Sequence, residues 1–315
     1  MAGAASARTL VAPQGPGAAA PASPWSQVAS DGARPVGGMS VDVEEWFQVG
    51  AFERTIARRD WADLSSRVED QIARILDLFA EKQVSATFFT LGWVAARHPA
   101  MIHRIAAAGH EIASHGWDHA RVFTLGARRF AEDIGEARKA LEDASGQAVT
   151  GYRAPSFSID ARTPWAHPVL AEQGYVYSSS VAPIAHDHYG WREAPRFAFR
   201  PLESSPLLEI PVTTVELAGR RFASGGGGFF RLLPYAVSRA ALRQVARHDR
   251  QAAVFYFHPW EIDPGQPRRG DAPLRSRLRH YTNLAAMEGK LARALDDFAW
   301  GRMDALAARE AERLG

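Results

Sequence analysis

From residue 38 onward, short dense apolar runs alternate with stretches whose apolar residues recur every three or four positions. The first pattern is that of strands, the second that of amphipathic helices. GMSVDVEEWF opens the series as a strand. Val68, Ile72, Ile75, Leu76 and Phe79 then hold one face of a helix, and Ser66 with Glu69 has the spacing of a capping box. SATFFTL is the next strand, followed by a helix over 100–108 that Gly109 stops. HEIAS comes next, then a helix through Phe130, Ile134, Ala137 and Leu141 that Gly146 closes. VTGYRA, a helical turn near 165–173, YVYSSS, LLEIPVT, a helix over 235–247 and AAVFYF continue the alternation. A last helical pattern covers about 283–298, and the charged, Ala-rich tail after residue 303 reads as a helix or a frayed end. Repeated strand–helix units predict an α/β fold, a parallel sheet with helices outside it. Seven strand candidates favour a barrel, with functional residues at the C-terminal ends of its strands.

Composition narrows this picture. The chain has 315 residues, 46% hydrophobic and 23% charged, as expected of an ordinary globular protein. A formal charge of +2 gives no support for nucleic-acid binding. No run is long enough for a membrane span, so no stable membrane insertion is expected. The absence of cysteine removes disulfides, thiolate metal sites and cysteine nucleophiles. Any metal must therefore be held by His, Asp or Glu. Residues 1–37, rich in Ala, Pro, Gly and Ser, read as a disordered leader without the apolar core of a signal peptide. A cytoplasmic location is the expectation, with a periplasmic one as the alternative.

Four stretches carry candidate chemistry. In SVDVEEWF, residues 40–47, the two-residue pleat of a strand puts Asp42 and Glu44 on one side and Glu45 on the other. Such a pair suits one metal ligand and one base, or simply a solvated strand end. GHEIASHGWDH, residues 109–119, sets His115 and His119 four apart around Gly116, which suits a loop bringing two neutral imidazoles to one cation. His110 and Glu111 do not form the HExxH zinc motif, because the next histidine comes five residues after His110. In GYRAPSFS, Arg153 ends a strand before Pro155 and can pair with a carboxylate, for catalysis or as an ordinary structural bridge. In AAVFYFHPWEIDP, His258 ends an apolar strand where it can act as a general acid or cap the core, and Glu261 or Asp263 can orient it. SGGGGFFRLLP lacks the ending of a phosphate loop, so its glycines point to a bend or a close approach to a flat ligand. Ser66, the remaining histidines and most aromatic residues receive no chemical role.

Taken in order, SVDVEEWF, ATFFTLGW, GHEIASHGWDH, GYRAPSFS, GYVYSSSVAP, GGGGFFRLLP and FYFHPWEIDP resemble the polysaccharide deacetylase family, the NodB-homology or carbohydrate esterase family 4 fold. The likeness is to the branch found with exosortase-type exopolysaccharide loci, whose C-terminal extension RHYTNL at 279–284 resembles. The resemblance implies a distorted (β/α) barrel over 38–264 and a helical extension over 265–315 packed on it. It implies metal-dependent removal of N-acetyl groups from a polysaccharide or its precursor, with Zn2+, Co2+ or another divalent ion as cofactor. Carried over by motif, Asp42 is the base, Glu44, His115 and His119 are the ligands, Arg153 orients the base and His258 protonates the leaving amine. Trp46, Trp117, Pro155 and Trp260 are the candidate substrate contacts. Two departures stand out: Asp-Val-Glu replaces adjacent aspartates, which leaves the roles of Asp42 and Glu44 interchangeable, and Ser178 replaces an Asp of the branch. The rival readings are a glycoside hydrolase built on Asp42 and Glu44 and a catalytically silent carbohydrate-binding barrel.

Overall fold

The computed structural model describes residues 36–185 and 190–315. Residues 1–35 of the expected leader, and His186 and His188, lie outside the described residues. In chain order the elements are β1 (Val36–Val43), α1 (Val68–Glu81), β2 (Thr87–Thr90), α2 (Gly92–Arg97), α3 (Pro99–Ala107), β3 (Glu111–Ser114), α4 (Ala127–Ser145) and β4 (Gly151–Tyr152). Then come α5 (Ala166–Glu172), β5 (Tyr177–Ser178), β6 (Leu208–Glu209), the hairpin β7 (Thr214–Leu217) and β8 (Arg220–Ala223), α6 (Gly227–Leu232) and α7 (Tyr235–Arg247). The chain finishes with β9 (Ala253–Phe257), α8 (Leu274–Tyr281), α9 (Leu284–Asp297), β10 (Ala299–Gly301) and α10 (Met303–Leu314).

All seven expected strands are present, and they pair in parallel in the order β9-β1-β2-β3-β4-β5-β6. The result is a curled α/β barrel. Its open seam, between β6 and β9, is bridged by single contacts. The Val254 N–H donates to Thr213 Oγ1 at 2.6 Å, and the Tyr256 N–H donates to the Gly225 carbonyl at 2.8 Å. The glycine run makes that approach feasible: a Cβ on Gly225 would lie 2.2 Å from the Val254 carbonyl oxygen. Gly225, Gly226 and Gly227 therefore allow close packing within the chain.

β1 runs through the middle of the sheet and every residue of it is buried. Its pleat divides the core. Met39, Val41 and Val43 pack outward against Val68, Ile72, Ile75 and Phe79 of α1. Full burial of each such side chain contributes roughly 1.5–3 kcal/mol, which is why the amphipathic stripe of α1 settles here. Ser40 and Asp42 face the barrel interior. The strand starts at Val36, inside the expected leader, because Val36–Gly38 pairs with β10. That strand and the hairpin β7–β8 were not anticipated, nor were α2, α6 and α8.

The capping box expected from Ser66 and Glu69 does not form. Glu45, on the outer side of β1, accepts the Ser66 hydroxyl and the Arg67 N–H, so a carboxylate from another element closes the start of α1. Glu69 instead faces His98 at 3.3 Å.

At the opposite end of the barrel from the strand C-termini, Glu111 is buried under α10. Its carboxylate accepts the Thr87 hydroxyl, the Tyr177 hydroxyl at 2.8 Å and the Asp304 N–H at 3.0 Å. Burial, reinforced by the Asp304 carboxylate, pushes its pKa up to about 7. A carboxyl whose folded pKa is raised stabilises the fold while it stays protonated, so this contribution is present below pH ~4.5 and fades as pH rises toward ~7. Wild-type unfolding free energy is expected to drop by roughly 1–3 kcal/mol over that window relative to Glu111→Gln, measured by urea denaturation at a series of pH values.

Candidate metal centre and its supports

The C-terminal ends of β1, β3, β4 and β9 converge on one buried cluster. Glu44 follows β1 directly, and His115 and His119 lie in the loop after β3. One oxygen of Glu44 and one ring nitrogen of each histidine all fall within 4.8 Å of one another. Glu44 Oε2 lies 2.9 Å from His119 Nε2, yet no hydrogen-bond donor is directed at it. Burial alone would raise the Glu44 pKa, but the imidazoles of His119, His258 and His115 outweigh it and hold the carboxyl near 2.

The loop that carries the two histidines is stitched to the start of α2. Gly92 and Trp93 donate their N–H groups to the carbonyls of Gly116 and Trp117 at 2.9 and 3.0 Å. The Trp117 N–H goes to Asp133 on α4 at 3.1 Å. Gly116 has φ +76° and sits against Asp133, and His119 itself adopts φ +62°. A left-handed non-glycine residue is a costly conformation that the surroundings must impose, and such residues gather at functional sites. His115 Nδ1 lies 2.8 Å from the carbonyl oxygen of Arg153. A carbonyl only accepts, so Nδ1 carries the hydrogen and Nε2 presents its lone pair to the cluster. Burial pushes the His115 pKa down to about 4, so the ring is neutral.

Arg153 follows β4 and is wholly buried. Its guanidinium donates to Asp42 Oδ1 at 2.6 Å, Ser40 Oγ at 2.7 Å, the Ser179 carbonyl at 3.1 Å and Ser179 Oγ at 2.9 Å. Asp42 and Glu44, interchangeable in the sequence, thus have different partners: Asp42 has the arginine, Glu44 the histidines. Ser178, where an acid was expected, donates to Ser180 Oγ at 2.8 Å, and Ser180 Oγ accepts the Ala154 N–H at 2.9 Å. The strand therefore still supports the site through serines. Behind it, Glu209 accepts the N–H groups of Ser180 and Val181 at 2.8 and 2.9 Å and faces His167 at 3.0 Å. His167 and Glu209 carried no signal in the sequence beyond being polar residues in an apolar context.

On the other side, His258 follows β9. Its Nδ1 faces Glu261 Oε1 at 2.8 Å, and its Nε2 lies 3.7 Å from Glu44 Oε1. Glu261 in turn accepts from Arg231 of α6 at 2.6 Å. Arg231 spends its remaining donors on the carbonyls of Arg279, His280 and Thr282. Burial alone would strip the imidazole of its proton, but the carboxylates of Glu44, Glu261 and Asp42 hold its pKa near 9. Of the two acids considered as orienting groups, Glu261 has that place, whereas Asp263 pairs with Arg67 at 2.6 Å. Arg231 was missed because its glycine-rich surroundings gave no helical pattern to place it on an element.

The expected sugar contacts fare unevenly. Trp46 is 3% exposed and gives its indole N–H to the Ser65 carbonyl, which places it in an aromatic core with Phe47 and Phe52 rather than on the site surface. Trp260 is stacked between His258 and His280 and donates to Glu44 Oε1 at 3.1 Å, so both its faces are covered. Pro155 is buried beside Gly116, and Trp117 is half-buried with its ring over Gly92. What opens beside His119 is a cleft of about 240 Å³ lined by Gln48, Glu53, Arg58, Trp61, Asp118 and Arg121 among others. Behind its wall, Gln48 Nε2 and Trp61 Nε1 are buried without a hydrogen-bond partner.

The residues present fit a divalent cation. A carboxylate with an undirected oxygen and two imidazoles, one with its tautomer fixed by a backbone carbonyl, is the donor set of zinc sites that keep a coordination position open.

A curled parallel barrel with this cluster at its strand ends defines the class of NodB-like barrels, and comparison with known proteins agrees. Residues 63–177 match the family described as polysaccharide deacetylase, and residues 179–308 match a domain of unknown function, DUF3473. A chitooligosaccharide deacetylase of Sinorhizobium fredii is 35% identical over 128 residues, 40% of this chain and 53% of the relative. A peptidoglycan deacetylase of Helicobacter pylori is 28% identical over 110 residues, 35% of this chain and 36% of the relative. The chain thus spans about half or less of the length of these relatives. A crystal structure from Mycobacterium smegmatis, assigned as a polysaccharide deacetylase, superposes with a TM-score of 0.59 at 21% identity, covering 91% of this chain and 94% of that one. Residues 63–177 thus resemble a polysaccharide deacetylase domain, and the fold is that of such barrels.

The buried Asp42–Arg153 pair lends itself to a cycle. Arg153→Met is expected to cost about 3–5 kcal/mol in urea unfolding because Asp42 is left buried without its partner. Adding Asp42→Asn to that variant should recover part of the loss.

Proposed function

We propose that the protein is a metal-dependent deacetylase that hydrolyses N-acetyl groups on amino sugars of a polysaccharide or its precursor in exopolysaccharide biosynthesis. The observation that carries this reading is the flanking of Glu44, His115 and His119 by two differently supported groups, Asp42 on Arg153 and His258 on Glu261. Relatives named as chitooligosaccharide and peptidoglycan deacetylases support the N-acetylated glycan as substrate class.

Glu44, His115 and His119 would hold the ion, zinc or another divalent metal such as cobalt, which when bound polarises the acetyl carbonyl and lowers the pKa of water. Asp42 takes the proton of the water that attacks the amide carbon. Arg153 holds Asp42 at one oxygen, which leaves the other free to accept that proton. His258 gives its proton to the sugar nitrogen as the C–N bond breaks, because an amine anion does not depart unaided. Glu261 keeps the imidazole turned so that Nε2 faces the site. The products are acetate and the free amino sugar. The cleft beside His119, lined by Arg58, Asp118 and Arg121 among others, lies where a sugar would sit against the metal ligands.

Two measurements check the reading. Purified protein is expected to hold about one equivalent of zinc or cobalt, and His115→Ala/His119→Ala to hold none and to release no acetate from N-acetylglucosamine oligomers. New reducing ends in place of acetate would favour the glycoside hydrolase, and glycan binding without either product the silent barrel. For His258→Ala, kcat on N-acetylated sugars should fall by about 10²–10⁴, but far less on an aryl acetate, whose phenolate leaves without a proton. An equal fall on both substrates would remove His258 from the acid role.

A further inference from the structure

Helix α8 turns an apolar and basic surface outward, one ring away from the candidate metal centre. Leu274 and Leu278, four positions apart and so on one helical face, are 65% and 59% exposed. Arg275, Arg277 and Arg279 are exposed around them and form no ion pair among the described residues. Over residues 265–282, five arginines stand against a single acid, Asp271, which Arg269 already engages. This excess is local, since the whole chain carries only +2. Arg231 joins α6 to the carbonyls at the end of α8, and on α6 and just after it Phe229, Leu232 and Leu233 are also exposed. The inner side of α8 presents His280, stacked at 4.2 Å on Trp260, whose indole N–H reaches Glu44. The helix therefore backs onto the site through its inner side, and its outward face is left to solvent.

We propose that α8 and the exposed end of α6 dock the protein on an anionic phospholipid surface. The leucines and Phe229 would enter the boundary between headgroups and acyl chains while the arginines meet the phosphates. Contiguous exposed apolar side chains mark an interaction site, and uncommitted arginines select a negatively charged partner. A hydrated polyanionic glycan meets the arginines but offers the leucines nothing. A second copy of this chain would bring the same positive charges face to face. Among the described residues no helix is long and apolar enough to cross a membrane, so the contact lies in the interface plane. The proposal does not depend on the chemistry of the metal centre.

The test is co-sedimentation of the full chain with vesicles, read without any activity assay. The protein should bind phosphatidylcholine vesicles containing phosphatidylglycerol at low salt, and neither bind pure phosphatidylcholine nor stay bound at high salt. Each of Arg275→Gln and Arg277→Gln should weaken binding roughly fivefold. Leu274→Ser/Leu278→Ser should weaken it at least tenfold with an unchanged circular dichroism spectrum. No binding to the mixed vesicles, binding that the leucine variant leaves unchanged, or a dimer that the leucine variant dissolves would each overturn the proposal.

Discussion

One guanidinium, that of Arg153, is the constraint on which the rest of this site depends. A charge with no exposure to water is tolerated only if its donors are met, and every polar contact of Arg153 lies inside the barrel. Its donors go to β1 through Ser40 and Asp42 and to the segment after β5 through Ser179. Its carbonyl fixes the ring of His115, and Phe89 of β2 covers its face at 4.0 Å. Five consecutive strand ends thus meet at one residue, four through its side chain and own position and that of β3 through its carbonyl. Glu209, by holding the N–H groups of Ser180 and Val181, keeps in place the backbone on which Arg153 leans.

A second buried arginine does the same for the opposite wall. Arg231 ties Glu261, and through it His258, to carbonyls at the end of α8. Gly227 permits that arrangement, since a Cβ there would lie 2.3 Å from Glu261 Oε1. Residues of the two family matches therefore meet in one cluster. His115, His119 and Arg153 fall within 63–177, whereas Ser179, Arg231, His258 and Glu261 fall within 179–308. The domain of unknown function supplies the wall that holds His258.

The parts legible in the sequence were those written in local periodicity. Seven strands could be found because each is a dense buried run, and α7 because its stripe spans a full thirteen residues, Tyr235–Arg247. Asp42, Glu44, His115, His119, Arg153 and His258 stood out as polar residues at the ends of apolar strands, and the structure brings them together. What stayed hidden was set by tertiary contact. The short β10 has only three residues and exists because β1 offers it an edge. The start of α1 is closed by Glu45, some twenty residues earlier, so a local capping rule misassigned it. The glycine run reads in sequence as a bend or an approach to a flat ligand because the tight neighbours of Gly225, Gly226 and Gly227, namely Val254, Tyr256 and Glu261, come from a distant stretch of chain. Trp46 and Trp260 looked like sugar platforms because composition cannot tell a stacked ring from a covered one.

The central claim is that Glu44, His115 and His119 hold a single divalent ion while Asp42 stays with Arg153. Anomalous diffraction at the zinc edge, from crystals of the protein with one equivalent of zinc, tests it most directly. The account predicts one strong peak about 2.0–2.2 Å from Glu44, His115 Nε2 and His119 Nε2, with Asp42 still paired to Arg153. A peak that recruits Asp42 in place of Glu44, or zinc only at surface histidines, would contradict it.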